Sequence, residues 1–437
     1  MRARTSLLGL GFVSPALALL IAFFLMPVVL TTFFAFTNMS TATGITGGSH
    51  IITGNLLRDL GNAGVDEDVL AALGEVSFSV TPETLAAAAE AGVDSSFLGE
   101  IETRLMGQSF EDARSFEAAL KTMPSRPRRI RDLKLATQPF ERSILNIRFQ
   151  SRDAMEAAIA GMASEAGDET VSAIAEASYT GWRWIDGGNF QTLLDRPETI
   201  RIVLNTVFYV AATLAFNVLV GLFLAITTFY LPKGSAGIFS VLWLLPRITP
   251  VVLYAVMWKW FTWDNGFIYV IAKQLGLPAF NYMKGSVPTA WTTIILVNGF
   301  IGASFGMILF SGALRAIPVQ QLWASEVDGA SRWQQIRRII LPQLRWPILF
   351  VTSYQTLSLL SSYEQIWLTT NGGPGSTTTV WALEAFNTAL NNYTGNLEYG
   401  MGAAMALILV AVGLVLSILY LRMFRFDELI NKPRIEF

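Results

Sequence analysis

The 437-residue chain is 52% hydrophobic and only 15% charged, whereas an average soluble domain is about 25% charged. Its 31 Lys and Arg nearly balance its 33 Asp and Glu, so the charge gives no support to a nucleic-acid partner. Cysteine is absent and histidine occurs once, at His50, which excludes disulfides, thiolate chemistry and Cys/His zinc sites. The composition therefore indicates a membrane protein, and we interpret His50 as a loop residue.

Six apolar stretches are long enough to cross a bilayer as helices. A hydrocarbon core about 30 Å thick needs about 20 mostly apolar residues, because every backbone amide there must be bonded within the segment. We therefore predict an all-α polytopic membrane protein. The six predicted spans are approximately Leu7–Phe36, Ile202–Leu231, Ile238–Phe261, Val287–Leu314, Pro347–Leu368 and Met401–Phe424.

The first apolar stretch has one feature of a secretory signal, since Arg2 and Arg4 precede it. However, it is far longer than the apolar region of a signal peptide, which is about 7–15 residues. No clear A-x-A cleavage site follows it. We interpret the stretch as a retained membrane anchor.

Basic residues predict the orientation of the spans. If six spans alternate, the basic residues at the ends of the chain and in the short loops fall on one side, and by the positive-inside rule that side is the cytoplasm. Both termini are therefore expected in the cytoplasm. The residues used are Arg2, Arg4, Lys233, Arg315, Arg332, Arg337, Arg338, Arg345, Arg422, Arg425, Lys432 and Arg434.

Residues 37–200 separate the first two predicted spans, and the alternation places them outside the membrane, on the extracytoplasmic side. We predict a small, mostly helical, acidic domain there. Asp66 and Asp94 each follow Ala-Gly-Val and precede an apolar pair, a pattern typical of helix N-caps. We interpret the basic run at residues 126–131 as a solvated helix face or linker, because domains this long translocate largely regardless of charge.

The most specific motif lies in residues 315–342, between the fourth and fifth predicted spans. It contains Asp328-Gly329-Ala330, followed at a fixed distance by Ile339-x-Leu341-Pro342. The segment resembles the EAA loop of binding-protein-dependent ABC importers, in which two short helices dock into the ATPase subunit. The resemblance implies that coupling to the ATPase involves Trp323, Ala324, Ser325, Glu326, Asp328, Gly329, Ala330 and Pro342.

The residue types in this loop suit a docking element. Small side chains let a helix seat deeply in a partner groove, Gly329 allows a sharp turn, and Pro342 is expected to end the second helix. Trp323 stands where the family usually has a glutamate, so the ionic contact to the ATPase would need Glu326 instead. The alternative interpretation is an ordinary amphipathic loop between two spans.

The resemblance extends over approximately Thr199–Asn431, outside the insertion. Its motifs are similar to those of the sugar-permease branch, the family of the maltose and glycerol-phosphate permease subunits (MalF-like and UgpA-like). The large insertion departs from this pattern, because many relatives have only a short loop after the first span. The motifs are Asn205-Thr206, Leu245-Pro246 with Pro250, Trp258-Lys259-Trp260 and Asn371-Gly372-Gly373-Pro374-Gly375.

The resemblance implies a six-transmembrane-helix ABC importer permease fold in the bacterial inner membrane. We expect three regions: residues 1–36 with the first span, the periplasmic insertion 37–200, and the permease core 201–437. The implied partners are a second homologous permease subunit, two ATP-binding subunits, a periplasmic solute-binding protein and a carbohydrate substrate.

The chain contains no G-x-x-x-x-G-K-[ST] sequence, whose backbone amides and lysine would cradle nucleotide phosphates. We therefore expect this chain to bind no cofactor and hydrolyse no ATP, with ATP and Mg²⁺ on the partner ATPase subunits.

Two other classes of protein are alternatives to an importer permease. An ion-coupled secondary transporter predicts acidic residues inside spans and inverted repeats. Inverted repeats are not evident, and the only acidic residue inside a predicted span, Glu364, lies near its outer end. A membrane-anchored sensor leaves the Asp328–Pro342 segment unexplained.

The fifth predicted span carries polar groups on one helical face. Gln355, Ser358, Leu359 and Ser362 recur at i, i+3, i+4 and i+7, and such a face must turn away from lipid. One interpretation is polar contact between packed helices. The family resemblance favours a sugar site instead, because it implies solute contacts on this face and on the fourth span at Asn298, Phe300, Ile301, Gly302 and Phe305.

Arg247 lies between Pro246 and Ile248, near the middle of the third predicted span. A charge at that depth costs about 3 kcal/mol on insertion scales, so it needs a partner or contact with water. In a structural interpretation, Arg247 reaches the cytoplasmic surface or binds carbonyls freed by Pro246 and Pro250. In a functional interpretation, it borders the translocation path and binds an anionic group of a sugar acid, sulfonate or phosphate in bidentate geometry.

Overall fold

The computed structural model describes residues 2–392 and 395–424. The chain divides into two compact units, one formed by Ala42–Trp182 and the other by Met1–Thr41 together with Arg183–Phe437. Arg425, Lys432 and Arg434, which contributed to the predicted orientation, lie outside the described residues.

The first predicted span is helical from α1 (Arg2–Leu20) to α2 (Met26–Ala35), with a π-helical turn at Ile21–Leu25 between them. Residues Gly11–Ala35 are long and apolar enough to cross a membrane. The π turn directly precedes Pro27, which has no N–H to donate to the preceding turn. Its wider hydrogen-bonding register, with the Met26 N–H bonded to the Ile21 carbonyl, lets the helix continue past the proline.

The unit Ala42–Trp182 consists of short helices and one small antiparallel sheet with the strand order β2-β1-β3. In chain order its elements are α3 (Gly54–Asn62), α4 (Glu67–Gly74), β1 (Ser77–Ser79), α5 (Pro82–Glu90), α6 (Ser95–Leu105), β2 (Ser109–Phe110), α7 (Ala113–Lys121), α8 (Ile130–Thr137), β3 (Glu141–Arg142), α9 (Arg152–Met162) and α10 (Asp168–Ala177).

Both predicted N-caps in this unit are confirmed. The Asp66 carboxylate accepts a hydrogen bond from the Asp68 amide at the start of α4, and the Asp94 carboxylate accepts from the Ser96 and Phe97 amides at the start of α6. The hydrogen bond from the Ser96 hydroxyl, followed by these two amide bonds, holds the pKa of Asp94 below its ordinary value. The arginines at residues 126–131 are exposed, as predicted.

The prediction that His50 is a loop residue is confirmed, because it lies in the segment between α2 and α3, outside any helix or strand. Its ring is buried, and Nδ1 lies 2.7 Å from the Ala175 carbonyl oxygen and 3.1 Å from the Ser178 hydroxyl. Its backbone pairs with Phe149, through a hydrogen bond of 2.9 Å from the His50 N–H. The burial of this ring was not foreseen, because its partners are about a hundred residues away in sequence, where no local pattern reveals them.

Two separate apolar cores hold this unit together. One surrounds Phe116 on α7, whose ring centroid lies 5.4 Å from that of Phe78, 5.1 Å from that of Phe110 and 5.4 Å from that of Phe140. The other groups Ile52 with residues of α4, α9 and α10. Amphipathic helices too short to be stable alone bury their apolar faces in one core or the other.

The rest of the chain is helical. Its elements are α11 (Gly188–Asp195), α12 (Glu198–Tyr230), α13 (Lys233–Ile248), α14 (Val251–Thr262), α15 (Phe267–Gln274), α16 (Val287–Arg315), α17 (Val319–Val327), α18 (Arg332–Gln335), a π-helical turn (Ile336–Ile340), α19 (Leu341–Gln343), α20 (Arg345–Leu360), α21 (Glu364–Leu368), α22 (Trp381–Leu390) and α23 (Tyr399–Met423).

Among the described residues, four helical segments are long and apolar enough to cross a membrane, and a bent pair makes a fifth. The four are Gly11–Ala35, α12, α16 and α23. The third predicted span is therefore not one straight helix: Lys233–Ile248 and Val251–Gln274 meet at 101°. Pro250 causes this break, because it lacks an N–H and forces Thr249 into an extended conformation with ψ 131°.

The fifth predicted span, Pro347–Leu368, is also divided. Helix α20 ends at Leu360, and the short helix α21 begins at Glu364. Ser362 lies in the gap, where its hydroxyl bonds to the Gln365 side chain at 2.9 Å. A serine that finds such local partners competes with the helical pattern. The count of six spans stays a prediction.

We predict that Phe116→Ala destabilises the unit Ala42–Trp182 by about 3–5 kcal/mol, since it removes a fully buried ring from the centre of one core. Hydrogen exchange of the full-length chain should accelerate for peptides covering residues 78–140. The matched control is Ile130→Ala, because Ile130 on α8 is largely exposed. Unchanged exchange in Phe116→Ala would contradict the assignment of this core.

Candidate functional site

The contact between α12 and α16 has no room for larger side chains at several glycines. An added Cβ at Gly302 would collide with the Asn217 amide, and one at Gly299 would lie 2.5 Å from the Phe216 ring. At Gly221, on the opposing helix, it would lie 3.1 Å from the Ala303 carbonyl oxygen. Small residues allow two membrane helices to approach closely in this way.

A narrow cleft of about 90 Å³ opens beside this contact. It lies between α12, α16 and α20, with the last turn of α13 at its side. Eight of the ten predicted solute-contact residues line it, together with two that were not predicted. The lining consists of Asn217, Arg247, Asn298, Ile301, Gly302, Phe305, Tyr354, Gln355, Ser358 and Leu359.

Gln355 connects the three helices around the cleft. Its side-chain nitrogen donates to the Gly302 carbonyl at 3.0 Å, and its side-chain oxygen bonds to the Asn217 amide. Gln355 and Asn217 are both buried. Burying such amides in an apolar region requires hydrogen-bond partners, so the polar face on α20 supplies helix contacts as well as a cleft wall.

A second polar network lies towards α21. The Asn298 amide donates to the Tyr209 hydroxyl and, at 3.1 Å, to the Ser362 hydroxyl. The Tyr209 hydroxyl in turn bonds to Ser362 at 3.3 Å. Ser362 is thus engaged by protein groups and does not line the cleft, so for this residue the arrangement favours polar contact between helices.

Arg247 lies in the last turn of α13, just before the break at Pro250. Its guanidinium carbon is 4.8 Å from the Phe305 ring centroid, a cation–π contact. Phe305 in turn lies 4.9 Å from the Tyr354 ring, between ring centroids. In the described part of the chain, Arg247 makes no ion pair within 4.0 Å, so its charge remains available at the cleft.

Phe300 was predicted as a solute contact, but it points into an aromatic cluster. Its ring centroid lies 5.5 Å from that of Phe216, 5.7 Å from that of Trp243 and 6.0 Å from that of Trp258. The sequence analysis missed Asn217 and Tyr354. An amide in the middle of a 33-residue apolar helix is a signal that would have identified Asn217.

The predicted turn at Gly329 is confirmed. Gly329 has φ 77°, a conformation that favours glycine. Its N–H bonds to the Glu326 carbonyl at 3.0 Å, and the Ala330 N–H bonds to the Ser325 carbonyl at 2.9 Å. These two bonds form a Schellman motif that ends α17 and reverses the chain towards α18.

Gln335 anchors this loop to the end of helix α12. Its side-chain oxygen accepts from the Tyr230 hydroxyl at 3.2 Å, and its nitrogen donates to the Leu322 carbonyl at 3.3 Å and the Ser325 hydroxyl at 3.0 Å. Tyr230 is the last residue of α12. Because Gln335 is fully buried, these bonds fix the loop to the end of α12.

The outer face of the loop carries large apolar side chains. Trp323 is 59% exposed and Val327 is 88% exposed, and Trp333 is also exposed. Glu326, the candidate replacement for the usual glutamate, pairs with Arg332 at 2.6 Å. Isolated apolar side chains on a surface are ordinary, but several together mark an interaction site.

The second loop helix ends at Gln343, one residue after Pro342, which agrees with the prediction that this proline marks its end. The π-helical turn Ile336–Ile340 precedes it, and the Leu341 N–H bonds to the Ile336 carbonyl. As at Pro27, this register shift accommodates a residue that cannot donate a hydrogen bond.

The helical core, its apolar spans and its anchored loop define an integral membrane transport component. The chain belongs to the family of binding-protein-dependent transport system inner membrane components, whose model matches residues 200–425. The match includes the cleft and the whole loop, but not the unit Ala42–Trp182. Members of this family are non-catalytic membrane subunits.

Known proteins are similar to this chain in sequence over a little more than half of its length. A probable ABC transporter permease protein of Pyrococcus horikoshii is 29% identical over 255 residues, covering 56% of this chain and 85% of the relative. The trehalose/maltose transport system permease protein MalF of Thermococcus litoralis is 27% identical over 257 residues, covering 59% and 83%. A bacterial alginate ABC transporter, solved in complex with an alginate pentasaccharide-bound periplasmic protein, has a similar fold. It shows a TM-score of 0.50 at 23% identity, covering 55% of this chain and 82% of that chain.

We predict that Gly302→Ala destabilises the core by about 1–3 kcal/mol, because the added methyl group must displace the Asn217 amide. The measurement is the apparent midpoint of thermal unfolding of the full-length chain in detergent. Gly312→Ala is the matched control on the same helix, since nothing lies within 4 Å of a Cβ there. The same unfolding midpoint in Gly302→Ala and Gly312→Ala would contradict the close contact of α12 and α16.

Proposed function

We propose that this chain is the membrane-spanning permease subunit of an ATP-driven, binding-protein-dependent importer that translocates a carbohydrate. The observation that carries this proposal is the cleft between α12, α16 and α20, which belongs to the region matched by the family. The relatives' names support a sugar, since one is a trehalose/maltose permease.

The cleft offers the groups that a sugar needs. Phe305 and Tyr354 present aromatic faces, while Asn298, Gln355 and Ser358 present amides and a hydroxyl at its wall. Sugars combine apolar ring faces with a rim of hydroxyl groups, so mixed linings of this kind suit them. The proposed contacts are Arg247, Asn298, Ile301, Gly302, Phe305, Gln355, Ser358 and Leu359, with Phe300 and Ser362 supporting them from behind.

The size of the cleft supports a role for a partner. Its volume of about 90 Å³ is smaller than that of typical ligand pockets, which is about 300–1,000 Å³. We propose that a second, homologous permease subunit supplies the opposite wall of the path. The proposed path then opens as the two subunits move, in the manner of rigid-body transitions at an interface.

The loop 315–342 is the proposed contact with an ATP-binding subunit. We propose that two such subunits bind ATP and Mg²⁺, one beneath each permease chain, so that this chain hydrolyses none. Because Arg332 engages Glu326, the proposed docking contact is apolar and centres on Trp323 and Val327. Exposed tryptophans at such surfaces are often the residues that dominate binding energy.

The proposed location is the bacterial inner membrane, with both termini and the loop 315–342 in the cytoplasm. The unit Ala42–Trp182 is then periplasmic, on the side where a soluble solute-binding protein would deliver the sugar. The basic residues flanking the spans support this orientation through the positive-inside rule.

We predict that Gly329→Val uncouples transport. A β-branched residue at φ 77° is strained by about 1–2 kcal/mol, and the strain acts on the backbone, because nothing lies within 4 Å of a Cβ at this position. Solute-stimulated ATPase activity of the reconstituted importer should fall sharply. Gly329→Asn is the matched control, since asparagine adopts this conformation more readily. Normal coupling in Gly329→Val would refute the proposed role of the turn.

We predict that Ser358→Phe blocks the path. Its benzyl group would fill the cleft without removing the Asn217–Gln355 contact, so uptake of radiolabelled disaccharides should fall by about tenfold or more. Ser353→Phe is the control, because Ser353 lies on α20 but outside the cleft. Assembly of the complex should be checked in both variants. Full uptake in an assembled Ser358→Phe importer would place the solute path elsewhere.

A further inference from the structure

A second cleft, of about 420 Å³, lies where α14 ends and α15 begins. It is far larger than the cleft beside Gly302, and it includes Lys259 and Trp260 of the motif Trp258-Lys259-Trp260, to which the resemblance assigned no role. Its lining contains two tryptophans, a lysine and one carboxylate: Lys259, Trp260, Trp263, Asp264, Asn265 and Gly266.

Two lysine side chains lie against one indole ring of this cleft, that of Trp263. Lys259 lines the cleft as well, whereas Lys284 is not one of its lining residues. The ammonium nitrogens of Lys259 and Lys284 each lie 5.7 Å from the centroid of Trp263. Lys259 belongs to α14, whereas Lys284 comes from the segment that precedes α16. The tertiary structure therefore brings together two positive charges from different elements.

Lys284 is held in place along its length. The Asn281 side-chain oxygen accepts hydrogen bonds from the Met283 amide at 3.0 Å and the Lys284 amide at 2.9 Å. A Cβ built on Gly373 would lie 3.7 Å from the Lys284 Cε, which is ordinary van der Waals contact. The stem of Lys284 thus packs beside the loop at Gly373, and its ammonium group is directed to Trp263.

Neither ammonium group has an acidic partner in the part of the chain that the structure describes. Across the described residues 2–392 and 395–424, no carboxylate lies within 4.0 Å of Lys259 or Lys284. Asp264 lines the same cleft, but its carboxylate accepts a hydrogen bond from the Asn281 amide at 3.0 Å. Burial, and to a smaller extent the charge of Lys259, hold the pKa of Lys284 below its ordinary value. A pair of cations in this state favours an added anion.

We propose that Lys259, Lys284 and Trp263 form a binding site for an acidic saccharide, with the ammonium groups binding its carboxylates and the indole packing on a sugar ring. This inference rests on the proposed function and specifies the charge of the solute. A neutral sugar would leave both cations uncompensated, whereas oxyanions form charge-assisted hydrogen bonds to ammonium groups.

The cleft beside Gly302 supports the same class of solute. There too a cation without an ion-pair partner among the described residues, Arg247, lies against an aromatic ring, that of Phe305. A solute carrying acidic groups on a sugar backbone would find this combination of positive charge and aromatic face at both sites.

Lysine and tryptophan also occur together at membrane surfaces, where they contact lipid phosphates. The shared chemistry is oxyanion binding, so the test must distinguish an acidic saccharide from a lipid headgroup.

The full-length chain in nanodiscs of zwitterionic lipid is titrated with radiolabelled digalacturonate, and with digalactose as the neutral counterpart. The variants are Lys259→Gln, Lys284→Gln and the charge-preserving Lys284→Arg. Lys273→Gln is the matched control, because Lys273 is an exposed lysine on α15 outside the cleft.

Digalacturonate is expected to bind at least about tenfold more tightly than digalactose, which corresponds to about 1.4 kcal/mol. The preference should be lost in both Lys→Gln variants, retained in Lys284→Arg and Lys273→Gln, and weakened by salt. Equal binding of the two sugars overturns the inference. So does loss of digalacturonate binding when phosphatidylglycerol is added to the nanodiscs, because the site then belongs to a lipid.

The outcome is separable from that of the proposed function. If neutral disaccharides stimulate the ATPase of the assembled importer and the two Lys→Gln variants transport them normally, the carbohydrate importer stands and the acidic-saccharide site is wrong. If no saccharide of either kind stimulates the ATPase while digalacturonate still binds through Lys259 and Lys284, the site stands and the proposed function fails.

Discussion

The close approach of α12 and α16 at Gly302 is the contact on which the core depends. Only a residue without a Cβ leaves room there for the Asn217 amide, which bonds to Gln355 on α20. Gln355 in turn donates to the Gly302 carbonyl. In an apolar environment an amide without partners is costly, so the glycine and the two amides specify one arrangement of three helices. The cleft forms beside this arrangement.

The same helices connect the cleft to the loop 315–342. The loop joins α16 to α20 directly, and Gln335 attaches it to Tyr230 at the end of α12. A displacement of the loop by a partner would therefore act on the three helices that line the cleft. Rigid elements joined by buried hydrogen bonds are the physical basis for such a transfer. Both proposed sites of the core thus depend on one set of buried polar contacts.

Positive charge lies beside an aromatic ring at Arg247 with Phe305 and at Lys259 and Lys284 with Trp263. Each cation lacks an ion-pair partner among the described residues. Only 15% of the chain is charged, and charged side chains are rare within its predicted spans. Cations retained in such surroundings without internal partners are candidates for contact with a transported group.

The sequence by itself determined what local chemistry controls: the apolar stretches that become membrane-spanning helices, the N-caps at Asp66 and Asp94, the left-handed turn at Gly329 and the polar face that includes Gln355. Each depends on residues within a few positions of one another. The Pro250 break was foreseen only as an alternative, and the ending of α20 before Ser362 was not foreseen. Only the tertiary structure decided which polar groups are used up in helix contacts, such as Ser362, and which charges converge, such as Lys259 and Lys284. Those outcomes depend on distances between segments far apart in the chain, and hydrophobic periodicity carries no information about them.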